Sequence, residues 1–223
     1  MDGDYIIPII GQILLIIAII SSVNQIFRFQ NAGNKLFRTI ALITQIFPFF
    51  FLVFAFILDF SSLKLVTEYG GADLPLLYRI SAVWGGRAGP LLLFAALLSI
   101  VTWLMTEREM LDYDVRIMHG FTLGILVISW FLEPFANSAG VTPSELNPLL
   151  QTDLMVIHPP VVFFYYALCI ATAAVAMGGV ISGKSAKDIH ESQLHWARAG
   201  FLAGTIGICL LYTSDAADDF TSV

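Results

Sequence analysis

"YIIPIIGQILLIIAIISSVNQIF" covers residues 5–27, and none of its positions carries a charged side chain. A helix of that length crosses a ~30 Å hydrocarbon core. The run is too long for the apolar segment of a signal peptide. Asp2 and Asp4 also stand where such a peptide carries Lys or Arg, so it reads as a retained transmembrane helix. The whole chain shares this character: 57% hydrophobic, 13% charged, with a mean hydropathy of +0.81. A soluble domain of 223 residues does not bury that much apolar surface. The expected fold is all-α, a polytopic transmembrane helix bundle forming one membrane domain.

Further apolar runs predict spans at Arg38–Phe60, Ala88–Met105, Ile117–Phe135, Pro160–Gly183 and His195–Tyr212, about six in all. Cations are distributed unevenly between their connections. Residues 28–38, 106–116 and 184–198 hold eight of the Lys and Arg residues, whereas residues 1–4, 61–87 and 136–159 hold three. Positively charged loops stay in the cytoplasm, so the N-terminus is expected outside, with 61–87 and 136–159 on the outer side. These two connections are also the longest, and function is expected there. The net charge of −6 comes with no cluster of Lys and Arg, which argues against nucleic-acid binding.

Outer segment 73–94 repeats apolar residues at Leu74, Leu77, Ile80, Val83 and Trp84, the spacing of a short helix on the membrane surface. Gly85 and Gly86 then let the chain turn into the next span. Arg79 and Arg87 flank that turn. They read either as interfacial anchors or as a pair for the carboxylates of an anionic ligand.

The second outer segment ends in His158-Pro159-Pro160. A residue before proline disfavours the helical region, and proline is harmless in a first helical turn. The fifth span is therefore expected to begin at the proline pair, with His158 just outside as its cap. Imidazolium is disfavoured near a helix N-terminus, so a neutral ring is expected, which suits a transition metal or haem iron. Val162 and Tyr165 fall on the helix face below it, fit to pack a flat apolar ring. The competing reading is a capping histidine in an aromatic belt. His119 is expected at the cytoplasmic interface. His190 and His195 read as solvated, and none of these has zinc-site spacing. Cys169 and Cys209 fall in separate spans and read as packing residues.

Two stretches, "LPLLYRISAVWGGRAGPLLLF" (74–94) and "LNPLLQTDLMVIHPPVVFFYY" (146–166), carry a family resemblance. The chain resembles the haem lyases of cytochrome c maturation, the CcmF type, over roughly residues 35–210. That resemblance implies haem as cofactor and His158 as an outward axial ligand to its iron. It also implies that Trp84, Gly85, Gly86, Arg87, Arg79, Asn147, Gln151, Pro159, Pro160 and Tyr165 belong to the haem-binding vestibule. The implied activity is thioether attachment of haem to the CxxCH motif of apocytochrome c. The implied partners are a membrane-anchored haem chaperone, apocytochrome c and other maturation subunits in the cytoplasmic membrane. Ala88 and Pro90 depart from the family's usual acidic residue and Ser at that turn. The family's Trp-rich segment, second outward histidine and intramembrane histidine pair have no match here. Residues 1–212 are therefore expected to be an N-terminal part of the membrane domain, inactive alone, and 213–223 a non-native tail. Two other readings are a haem exporter of the same wider group and a non-catalytic assembly subunit docking through 74–84. Ion-coupled transport fits poorly, because the charged residues of the predicted spans, such as Asp59, Glu133 and Arg198, lie close to their ends and none lies in their interior.

Overall fold

A computed structural model describes residues 5–27, 35–108, 112–144, 146–148 and 151–221, with side chains described through residue 212. Among the described residues eight helices follow in order: α1 (Ile6–Phe27), α2 (Lys35–Ile57), α3 (Lys64–Tyr69), α4 (Leu76–Ala82), α5 (Ala88–Glu107), α6 (Asp112–Phe131), α7 (Asp153–Ile181) and α8 (Ala186–Thr221). Six of them, α1, α2, α5, α6, α7 and α8, are long and apolar enough to span a membrane. No strand forms among the described residues beyond an isolated bridge between Leu63 and Asn137. The protein is thus an all-α polytopic bundle.

Helix α5 is the most deeply buried of the six and packs against α2, α6 and α7. Small residues make this possible: Ala88, Gly89, Ala95, Ala96, Ser99 and Thr102 are all buried on it. Lipid is as apolar as leucine, so close approach of small residues drives helix association here. Helix α1 closes one side against α2 and α6, and α8 lies chiefly on α7. Around α5 one core gathers Leu52, Phe56, Leu92 and Phe135, and a second gathers Leu98, Met105, Met118 and Ala171. Ile6, Ile9, Ile13 and Ile20 of α1 remain exposed, as a lipid-facing stripe requires.

Three boundaries differ from expectation. Helix α6 begins at Asp112, ahead of its apolar run, with Asp112 and Asp114 complementing the positive end of the helix. That places His119 two turns inside the helix and buried, not at an interface. Gln45 Nε2 of α2 donates to Ser22 Oγ of α1 at 2.9 Å and lies 3.3 Å from His119 Nδ1. These hydrogen bonds let polar groups tie three helices together inside a membrane. Helix α8 starts nine residues before the expected His195, because Ser185 caps it: Asp188 N donates to Ser185 Oγ, whose hydroxyl donates to Asp188 Oδ2. His190 and His195 are exposed as expected, but they stand on this helix and not in a loop. The third correction, at α7, concerns the site itself. Cys169 and Cys209 are unpaired and exposed, so neither fills the core.

Candidate functional site

The connections 61–87 and 136–159 are joined by hydrogen bonds. Lys64 N donates to Ala136 O at 2.9 Å, Ser138 N to Ser62 O at 3.0 Å and Ser144 N to Thr67 O at 3.1 Å. They form one layer at one end of the bundle. Arg79 is committed to that layer: its guanidinium donates to Leu74 O at 2.9 Å, Ile57 O at 3.1 Å and Ala72 O. It holds the approach to α4 and has three of its donors occupied by backbone. Arg87 is exposed at the N-cap of α5.

Helix α4 ends at Ala82, before the glycine pair, and neither Gly85 nor Gly86 adopts a positive φ. Their value is room. A Cβ on Gly85 would stand 3.2 Å from Tyr69 and 3.3 Å from Leu146, and one on Gly86 3.1 Å from Leu65 and Tyr69. The turn is packed tightly against α3 and against the segment leading to α7.

Helix α7 starts at Asp153, not at the proline pair, so His158 is a residue of the helix and not its cap. Thr152, extended at φ −123° and ψ 147°, stands at the N-cap, and Asp153 supplies negative charge to the first turn. Pro159 and Pro160 sit inside the helix. They are tolerated because only the carbonyls four residues back, at Met155 and Val156, lose partners, and both lie near the helix start. The Met155 carbonyl accepts a hydrogen bond from Trp84 Nε1 at 2.6 Å. Tyr78 Oη adds a 3.4 Å contact to Asp153 Oδ1, and Gln151 Nε2 donates to Leu146 O at 3.0 Å just before the helix. Asn147 is exposed beside it.

A cavity of about 450 Å³ opens between α7 and α8, lined by His158, Val162, Tyr165 and Tyr166 on one side and by Phe201, Gly204, Thr205 and Ile208 on the other. Its size falls in the range of cofactor and small-molecule sites, and its lining is mostly apolar and aromatic. His158 is half-buried, and its Nδ1 is buried without a hydrogen-bond partner among the described residues. Gly204 brings α8 close: a Cβ there would stand 2.9 Å from Tyr165 Cδ2. The structure therefore brings His158, Val162 and Tyr165 together, as their helical spacing predicts. It places Trp84 against the first turn of α7 and packs Gly85 and Gly86 against Tyr69, Leu65 and Leu146. The α8 wall was missed, although Gly200 and Gly204 carry the small-xxx-small spacing of close helix packing. Among the described residues no group of three or more His, Cys, Asp or Glu side chains could hold a metal, so His158 acts as a single ligand if it binds one.

The family model described as "Cytochrome C assembly protein" matches residues 84–210. The chain is similar to the cytochrome c-type biogenesis protein CcmF of Escherichia coli K12, 30% identical over 192 residues, covering 80% of this chain and 29% of that protein. It is also similar to CcmF of Pseudomonas fluorescens, 28% identical over 218 residues, and to NrfE of Haemophilus influenzae, 27% identical over 170 residues. Those alignments cover 89% and 71% of this chain, and 32% and 26% of the relatives. The chain thus spans about a third or less of the length of the curated relatives it matches. No solved structure matches it.

Proposed function

The chain belongs to the cytochrome C assembly protein family, and from that premise we propose that it contributes part of a haem-binding vestibule used to mature c-type cytochromes. In this reading His158 would hold haem iron at the outer face of the cytoplasmic membrane. The observation that carries it is the imidazole: half-buried beside an apolar cavity, with a buried Nδ1 that no described group engages. Helical spacing sets Val162 and Tyr165 below the ring, where they would support one face of a planar macrocycle.

Haem, when bound, supplies vinyl groups that accept the thiols of a CxxCH motif and an iron that takes imidazole ligands. This chain's own task is positioning. His158 would hold the iron, Tyr165 and the α8 face at Gly204 would hold the ring, and the exposed Arg87 would offer a cation to propionates. Asn147 and Gln151 would border the vestibule, and Arg79 would keep its floor in place through backbone carbonyls. The charge asymmetry of the connections supports an outward N-terminus and an outward layer 61–87/136–159. The partners are then a membrane-anchored haem chaperone, which delivers haem, apocytochrome c, which receives it, and other maturation subunits.

Purification of the protein from membranes, with and without His158→Ala, tests the reading. The variant is expected to lose haem and to lower the yield of cytochrome c. Unchanged haem content and yield would overturn it.

A further inference from the structure

In an α-helix each carbonyl receives the N–H of the residue four positions on. Pro159 has no N–H to give to Met155 O, and Pro160 has none for Val156 O. His158 is therefore carried on a turn deprived of two helical hydrogen bonds, in the place where a metal ligand needs rigidity. Trp84 repairs the first of these: its Nε1 donates to Met155 O at 2.6 Å, at the short end for such a bond. We propose that Trp84 is a positioning residue for His158, acting as a strut that substitutes for the N–H that Pro159 lacks. The inference rests on the haem-ligand reading above.

Two features make the strut effective. The indole is anchored on a turn that cannot easily shift. Trp84 N bonds Ser81 O at 3.1 Å and Gly85 N bonds Ala82 O at 2.9 Å, while Ala82 and Val83 are fully buried. Gly85 and Gly86 have no space behind them, being closed in by Tyr69, Leu65 and Leu146. His158 also lacks the usual means of orientation. A metal-bound histidine normally donates its second ring nitrogen to a carboxylate or carbonyl that fixes the ring. Here the Nδ1 has no such partner among the described residues. The direction of the ring then depends on the backbone of the turn 155–158, and among the described residues Trp84 is a side chain bonded to that turn. An indole N–H is a donor only, so it suits the carbonyl of Met155 that Pro159 leaves without its helical partner.

The strut predicts a specific dependence between two positions. Trp84→Phe keeps a ring but removes the donor, while Pro159→Ala restores the backbone N–H that makes the donor redundant. With haem as probe and the purified chain in nanodiscs, Trp84→Phe is expected to lower haem affinity about tenfold and to weaken the imidazole-ligated spectrum. In the Pro159→Ala background the same change should cost less than about twofold. An equal loss in both backgrounds, or none in either, overturns the proposal. Amide hydrogen exchange over residues 153–161 without haem reads the strut directly. Trp84→Phe should speed exchange there, and Pro159→Ala should abolish that difference. Should the parent chain bind no haem, the ligand reading fails while the exchange data still decide whether Trp84 holds the turn. Should Trp84→Phe not accumulate in the membrane, recovery by Pro159→Ala supports the strut and failure to recover refutes it.

Discussion

His119 and His158 each stand within a turn or two of the start of an apolar helix, yet their surroundings differ. His119 is buried at 6% exposure, and the Gln45 amide meets its Nδ1. His158 is half-buried, borders a cavity, and has a buried Nδ1 with no partner among the described residues. The first is a histidine whose bonding holds α1, α2 and α6 together. The second borders open space, and the proposed ligand role is drawn from that position. A neighbouring cavity separates the two histidines, and that property is not visible in the residue type.

That contrast breaks most clearly at His158 itself. Removing the proposed iron ligand should lower haem retention on the order of 100-fold, the upper end of what loss of supporting contacts at metal sites costs. Next comes the opposite wall. Gly204→Val puts a branched side chain where even a Cβ stands 2.9 Å from Tyr165, so the cavity fills or α8 moves away. Haem titration should show about a tenfold loss of affinity, equivalent to about 1.4 kcal/mol. The smallest effect belongs to the other histidine. His119→Leu removes the acceptor facing Gln45 Nε2 and should lower thermal stability by about 1 kcal/mol, as polar contacts within membranes do. The haem spectrum of that variant should be unchanged. A change in the spectrum with stability intact would erase the distinction between the two histidines.

Hydropathy alone placed six helices correctly, because twenty apolar residues in a row leave few alternatives to a span. The ends were harder to read. Pro159-Pro160 is a loud signal for a helix start, and it masked the quieter Thr152-Asp153, an extended N-cap with an acidic first turn. The proline pair sits inside α7, and Trp84, seventy-one positions before Met155 in sequence, takes up the Met155 carbonyl that the pair strands. No local pattern encodes that contact. The burial of His119 was hidden for a similar reason: Asp112 and Asp114 look like loop residues until the helix is seen to begin with them. Ser185 and Asp188 do form a legible cap, and reading them would have set the start of α8. His158, Val162 and Tyr165 were recoverable from helical spacing, whereas Gly204 joins them only through the packing of α7 on α8.

The central claim, that His158 supplies an iron ligand from the face of α7, is tested most directly by His158→Gly with added imidazole. Absorption spectra of the haem-loaded protein provide the readout. The variant should lose the Soret band of imidazole-ligated haem, and free imidazole should restore it by occupying the vacated space. Retention of haem by His158→Gly with an unaltered spectrum, or loss that imidazole does not restore, would contradict the claim.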